Sequence, residues 1–205
     1  MTNIPVLPLS LTVMLGPQIL VAVLLITRKD PIKSSVIYIT AVLATLILTT
    51  FIYYELASLI GLKDLSIAGR PLLKHLLIIL FIYLIIRSIK NRNNITEAPK
   101  WMQNITSASL RKIFVIGLTL IAIMPTDIIA TFSVGSILNS NSQPFIAALP
   151  FFGAVALIAG LPLLAYLSLG KKGPIYLEQF NTWLNTNGYL INVIVLIFFI
   201  MMMIK

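Results

Sequence analysis

The chain has 205 residues, of which 59% are hydrophobic and only 10% are charged, so its apolar content is far above that of soluble domains and indicates an integral membrane protein. The absence of cysteine and the single histidine exclude disulfides, thiolate-bound metals and His-rich metal sites, and we expect no cofactor. The net charge of +9 would favour a nucleic-acid partner in a soluble protein, but in a membrane protein it reflects loop topology, so we expect no nucleic-acid partner.

Six apolar segments follow one another along the chain, each long enough to cross a bilayer. The first, at about 7 to 27, has no basic region before it and is followed at once by Arg28 and Lys29, so we interpret it as a retained span rather than a cleaved signal peptide. The others lie at about 35–62, 71–89, 112–138, 145–169 and 189–204, with polar loops at 139–144 and 170–174. The sequence therefore predicts an all-α membrane protein with six transmembrane helices.

A polar linker divides these spans into two halves. We predict a first three-helix repeat at 1–89, a cytoplasmic linker at 90–111 and a second three-helix repeat at 112–205. With the first loop and the linker inside, all Lys and Arg residues are cytoplasmic except Lys63, Arg70, Lys74 and Lys205. This charge bias favours a topology with both termini outside. The first and fourth spans then run in opposite directions, which an inverted repeat requires.

A proline interrupts the first span of each half. Pro17 and Pro125 are 125 − 17 = 108 positions apart, and the same offset moves the start of the third span, near Leu72, to Phe180, just before the last span. A proline removes a backbone hydrogen bond, so each helix is expected to kink or break. One transmembrane proline alone more commonly adjusts packing. Matched interruptions in antiparallel repeats are typical of a transport site near the middle of the membrane.

Polar side chains beside the two prolines form the candidate site. Asp127 is the acidic residue that these boundaries place deep inside a span, where a carboxylate must face a wet cavity, be protonated or be paired. For each nearby threonine alone, a hydrogen bond within its own helix is the simpler explanation. The predicted substrate or coupling site comprises Gly16, Pro17, Gln18, Pro125, Thr126, Asp127 and Thr131.

Two further features lie outside this site. Glu55, near the outer end of the second span, is a candidate outer gate with Lys74 or His75, although a carboxylate at headgroup level beside a basic partner also has a purely structural explanation. In the fifth span, Gly153 and Gly160 lie at helical spacing. Such small residues predict the close approach of another helix, within the protein or between two copies in a homodimer.

Short motifs in both halves match a known membrane family. They are Pro17 and Arg28-Lys-Asp-Pro31 in the first half, and Phe114-Val-Ile-Gly117, Pro125-Thr-Asp127, Leu161-Pro-Leu-Leu-Ala-Tyr166 and Phe180-Asn-Thr-Trp183-Leu in the second. The chain resembles the GAP or Sap family, the glycopeptidolipid- and sulfolipid-addressing proteins of the LysE transporter superfamily. Members often carry an acidic residue before the first-half proline, where this chain has Gly16, which leaves Asp127 as the carboxylate of the site.

This resemblance implies a small secondary-type transporter that exports or flips a lipid or another amphiphilic molecule across the cytoplasmic membrane. The expected partners are membrane lipids, with a proton or cation as coupling ion at Asp127. Two other functions stay open, an exporter of a small polar solute such as an amino acid or ion, and a non-transporting membrane scaffold or immunity protein. An enzyme is not expected, because one deep carboxylate without a second acid, a nucleophile or a metal-ligand set is poor material for catalysis.

Overall fold

The computed structural model describes residues 6–14, 17–59, 71–90 and 104–169, together with separate positions between 179 and 201. All regular secondary structure among these residues is helical, which confirms the all-α prediction. The separate positions after 179 are helical as well. The continuous helices are α1 (Leu7–Met14), α2 (Pro17–Leu25), α3 (Pro31–Leu59), α4 (Pro71–Lys90), α5 (Leu110–Ile123), α6 (Pro125–Ser140) and α7 (Leu149–Leu169), with a 3₁₀ turn at Phe145–Ala148.

The described helices are those of a membrane protein, but by themselves they do not give the number of membrane spans. Two of them, Pro31–Leu59 and Phe145–Ser168, are long and apolar enough to cross a bilayer. The pair α5 and α6 can form a third span, and its two parts are bent by 68° at their junction. The six-span arrangement remains a prediction, and residues 60–70, 91–103 and 170–178 lie outside the described residues.

Both predicted interruptions coincide with the start of a new helix. The helix α1 ends at Met14 and α2 begins at Pro17, whereas α5 ends at Ile123 and α6 begins at Pro125. Proline suits the first helical position because the N–H group it lacks would have no helical partner there, and its ring prevents continuation of the preceding helix. Met124, between α5 and α6, has an extended backbone with φ −66° and ψ 124°. We call α1–α2 and α5–α6 the first and second broken segments.

The long helix α3 packs along the second broken segment and also against α7. Two glycines allow this close packing: a Cβ atom at Gly117 would lie 2.8 Å from the Cβ atom of Ala41, and one at Gly135 would lie 2.7 Å from the backbone nitrogen of Tyr54. Buried apolar side chains from α1, α2, α3, α5, α6 and α7 share one core. The core therefore includes helices from both halves of the chain.

Contacts between the broken segments fix their relative direction. Gln18, at the start of α2, contacts Asp127, at the start of α6. Arg28, after the end of α2, contacts Ile105 and Thr106, before the start of α5. Chain order is therefore reversed between the two segments, and they run antiparallel, in agreement with the direction expected from the charge bias. An inverted repeat needs this arrangement, although the repeat itself stays a prediction.

The described part of the chain shows no close helix contact at the two glycines of α7. Apart from chain neighbours and the backbone of α7 itself, no atom of the described residues lies within 4 Å of a Cβ atom built at Gly153 or Gly160. The predicted close approach, within the protein or between two copies, stays a prediction.

Candidate functional site

Gln18 and Asp127 meet in the interior, between the two broken segments. The Nε2 atom of Gln18 donates a hydrogen bond of 2.5 Å to Oδ2 of Asp127. Gln18 is 1% exposed and Asp127 is fully buried. Because Gln18 comes one residue after Pro17 and Asp127 comes two residues after Pro125, each helix break brings one polar group to the same point. We call Gln18 and Asp127 the buried pair.

The buried pair has few hydrogen bonds for its number of acceptor sites. The Oδ1 atom of Asp127 has a long contact of 3.5 Å from the hydroxyl of Thr126, and Oε1 of Gln18 has no partner among the described residues. A carboxylate can accept about four hydrogen bonds, so both oxygens retain acceptor capacity. Asp127 lies in the first turn of α6, where the helix dipole favours negative charge. The arrangement can hold a proton, a cation or a hydrogen-bond donor from a ligand.

Tyr38 of α3 fixes the first broken segment beside this pair. Its hydroxyl donates a hydrogen bond of 2.9 Å to the backbone oxygen of Gln18, and its side chain is fully buried. The ring packs against the Cβ position of Gly117 at 3.2 Å. Sequence reasoning missed Tyr38, although a tyrosine within an apolar segment is an available signal for a buried hydrogen bond.

The two threonines of the predicted site behave differently. The hydroxyl of Thr131 donates 2.8 Å to the backbone oxygen of Asp127, within its own helix. Thr131 is buried, whereas Thr126 is exposed. The simpler explanation of a hydrogen bond within the helix therefore holds for Thr131, and Thr126 is the threonine that contacts the carboxylate.

The remaining predicted site residues are only partly described. Pro17 is half-buried and Pro125 is exposed at the start of their helices, and Gly16 lies outside the described residues. Glu55 is exposed near the end of α3, and the side chain of Lys74 is also outside the described set. The outer gate therefore stays a prediction.

Arg28 joins the turn after α2 to the segment before α5. Its Nη1 atom donates to the backbone oxygens of Ile105 at 2.7 Å and Thr106 at 2.8 Å. Its Nε atom donates to Oγ of Ser34 at 2.8 Å and to Oδ1 of Asp30 at 3.1 Å. We call this set of contacts the Arg28 clasp. It holds the end of the first broken segment against the start of the second.

Asp30 is charged more readily within this clasp than in solution. Partial desolvation raises the pKa of Asp30, but the hydrogen bonds from Arg28 and Ser34 and the charge of Arg28 outweigh that effect and hold the pKa below its ordinary value. Sequence reasoning used Arg28 to end the first span, to orient the chain and as part of a family motif, but gave it no contacts. It missed the clasp because two of the acceptors are backbone carbonyls, which any residue at those positions would supply.

Comparison with known proteins gives one match. The family model described as Sap, sulfolipid-1-addressing protein, matches residues 6–205. No curated protein and no solved structure matches the chain. The matched region includes both helix breaks, the buried pair and the Arg28 clasp, so the family relation extends over the whole candidate site.

Proposed function

The chain belongs to the Sap, sulfolipid-1-addressing protein, family, and we propose that it is a transporter that exports or flips a lipid or another amphiphilic molecule across the cytoplasmic membrane. The family description concerns the addressing of a lipid, and the described helices are those of a membrane protein. The single observation that carries the proposal is the buried hydrogen bond between Gln18 and Asp127. It joins two helix breaks that come from antiparallel segments.

Helix breaks of this kind support transport for a physical reason. In membrane transporters, substrate and coupling-ion sites lie where discontinuous helices meet near the middle of the bilayer. A carboxylate buried in an apolar interior costs several kcal/mol, and apolar side chains would meet a packing requirement without that cost. The presence of Asp127 at this point therefore favours a role in binding over a role in packing.

The contacts suggest how the transporter would work. Separation of Gln18 from Asp127 opens the junction of the broken segments, while the Arg28 clasp keeps the far ends of these segments together. A polar headgroup donates hydrogen bonds to the free oxygens of the buried pair. The acyl chains remain in the lipid beside exposed apolar side chains of α3 and α7, such as Leu48 and Leu157. A proton or cation on Asp127 balances the charge when the pair closes again.

The test uses purified protein in lipid vesicles. A lipid carrying a quenchable fluorescent group is placed in both leaflets, and a reductant outside measures how fast inner lipid reaches the outer leaflet. Loss of the charged hydrogen bond in Asp127→Asn and Asp127→Ala is expected to slow this movement by about tenfold or more. The control is Ser133→Ala on the same helix, because its hydroxyl bonds to the backbone oxygen of Ile129. Wild-type rates in both Asp127 variants would show that the proposed role is wrong.

The same vesicles test a second function. The free oxygens of the buried pair would also accept hydrogen bonds from a small polar solute such as an amino acid. If water-soluble solutes compete for transport and added lipids have no effect, the substrate is a small solute and not a lipid. A wild-type protein that moves neither kind of molecule would instead favour the membrane scaffold.

A further inference from the structure

A second group of buried polar atoms lies on α3 and α6, away from the buried pair. The atoms Oγ1 of Thr50, Oγ of Ser136 and Oδ1 of Asn139 are buried and have no hydrogen-bond partner among the described residues. A buried oxygen without a partner costs free energy in any protein, and more so within a membrane. Three such oxygens on two packed helices therefore indicate a ligand that supplies hydrogen bonds.

The position of these atoms connects them with Asp127. Asp127, Thr131, Gly135 and Asn139 recur every four residues, so they form one continuous face that winds gradually around α6. Ser136 lies beside the outer end of this face, three residues before Asn139. This face packs on α3, since the Cβ position of Gly135 is 3.0 Å from the backbone oxygen of Thr50. We call it the α6 polar face.

The α6 polar face ends at the surface. From Asp127 to Asn139 the helix rises about 18 Å, close to half of the roughly 30 Å hydrocarbon thickness. Beyond Asn139, residues 140–142 are exposed. At its inner end, Thr131 bonds to the backbone oxygen of Asp127. The face thus extends from the buried carboxylate to an exposed turn.

The chemistry of the unpartnered atoms favours water. They belong to two hydroxyls and an amide, with no carboxylate among them, whereas divalent cations select sites with charged oxygen ligands. Buried water molecules occupy sites where they form two to four hydrogen bonds with polar groups. Chains of such waters conduct protons, since each molecule both donates and accepts.

We propose that the α6 polar face is a water-lined route along which protons reach Asp127 from the exposed turn at 140–142. The inference rests on the proposed function, because it identifies the coupling ion of that transporter as a proton. The backbone contact at Gly135 closes the route in this conformation, and the route opens when α3 and α6 separate at this glycine.

Few titratable groups compete with Asp127 for the proton. From α3, Tyr38 faces the buried pair through its hydrogen bond to Gln18. The helices α1, α2 and α7 contain no Asp, Glu, Lys, Arg or His. Arg111 and Lys112 lie in the first turn of α5, at the opposite end of that helix from the break. Asp127 is therefore the carboxylate that the route serves.

The experiment measures proton uptake into vesicles that contain the purified protein and a trapped pH-sensitive dye, with the membrane potential clamped. External acid is applied, and lipid movement is followed in parallel at equal pH on both sides. In Thr50→Val and Asn139→Leu, proton uptake is expected to fall by about tenfold, and the lipid movement that depends on the proton is expected to fall with it. The matched control is Thr49→Val, because the hydroxyl of Thr49 already bonds to the backbone oxygen of Thr45.

Each outcome decides the proposal. Proton uptake at the wild-type rate in both variants overturns the route. If the wild-type protein moves lipid but takes up no protons, the route is also overturned, but the proposed function stands. Absence of lipid movement in the wild type overturns the proposed function instead. If Asn139→Leu fails to fold, Asn139→Ser replaces it, because serine keeps a polar group with space for water. Uptake near the wild-type rate is then expected, and loss of uptake in a folded Asn139→Ser protein contradicts the route.

A second readout does not depend on transport. The chain contains no cysteine, so a single introduced thiol reports its own access to water. Silver ions added in water are expected to react with Thr50→Cys, whose parent hydroxyl has no partner among the described residues, faster than with Thr49→Cys, whose parent hydroxyl bonds to its own helix. Equal or slower reaction of Thr50→Cys would contradict a water-lined route.

Discussion

Gln18 and Asp127 are 109 positions apart in the chain, yet their side chains form one buried hydrogen bond at the point where both broken segments start again as helices. Gln18 supplies the short hydrogen bond that Asp127 receives from the opposite half of the protein. The two residues therefore connect the halves at the site as well as in the core.

Removal of Gln18 is expected to destabilise the protein through Asp127. In Gln18→Leu the buried carboxylate loses its short donor, which costs about 1.5–3 kcal/mol for a charged hydrogen bond. Thermal unfolding in detergent should show a lower midpoint. The double variant Gln18→Leu/Asp127→Leu leaves no unpaired charge, so it should be less destabilised than the sum of the two single variants. Strictly additive effects would contradict a direct interaction, and the exposed Thr40→Val serves as the control.

Loss of the Arg28 clasp is expected to loosen the segment before α5. Arg28→Lys keeps the charge but cannot reproduce the planar fork of a guanidinium, so both Arg28→Lys and Arg28→Ala should destabilise the fold by about 1–3 kcal/mol. Hydrogen exchange of residues 104–109 should become faster in both variants. Unchanged exchange in this segment would show that the clasp does not hold it. Lys29→Ala is the control, because the neighbouring Lys29 is exposed.

Acidification should weaken the same clasp. The pKa of Asp30 in the folded protein lies below its ordinary value, so the ionised carboxylate stabilises the folded state above the unfolded pKa. This stabilisation is lost as the pH falls below about 4 and passes through the folded pKa. The unfolding midpoint of wild type should therefore fall more steeply on acidification than that of Asp30→Asn. Parallel curves would contradict a lowered pKa.

The glycines facing α3 should tolerate no side chain. A methyl group at Gly135 would contact the backbone of α3, so Gly135→Ala is expected to cost about 1–3 kcal/mol, and Gly117→Ala should be similar. The matched control is Gly153→Ala, because Gly153 is exposed and no described atom outside its own helix backbone lies within 4 Å of the new carbon. There, the higher helix propensity of alanine should stabilise by up to about 1 kcal/mol. A comparison of the three unfolding midpoints tests this contrast.

The sequence predicted local features better than contacts between distant parts of the chain. Pro17 and Pro125 predicted helix breaks because proline acts on its own backbone, and the depth of Asp127 in an apolar run indicated a polar site. The Arg28 clasp depends on the carbonyls of Ile105 and Thr106, which have no residue signature. The direct bond from Gln18 depends on how the segments pack, which local patterns do not specify.

Asn139 shows how packing adds to a local pattern. The run Asn139-Ser-Asn-Ser is typical of a turn, and we predicted that the fourth span ends at about residue 138. The helix α6 continues two residues further, to Ser140. Packing against α3 extends the helix, because the Nδ2 atom of Asn139 donates to the backbone oxygen of Tyr54. The four-residue spacing from Asp127 through Thr131 was the signal that placed Asn139 on the same helix face.

The predicted orientation can be tested in intact cells. Residues at the two ends of the second broken segment should lie on opposite sides of the membrane, and the charge bias places the end near Ser140 outside. A membrane-impermeant maleimide is expected to label Ser140→Cys in intact cells and Ser107→Cys only after permeabilisation. Both parent residues are exposed. The reverse labelling pattern would invert the topology, and labelling of both would contradict a spanning segment.

The close contacts of α3 bear on how the chain is assembled during synthesis. By sequence, α3 belongs to the first half, yet its backbone meets Gly117 and Gly135 of the second half. An amino-terminal fragment made alone would expose the seam that these glycines cover, and it should be degraded. The two fragments made together as separate chains should recover a stable protein. During synthesis, α3 therefore enters the membrane before the helices it packs against, and it can reach its final packing only after the ribosome has completed α6.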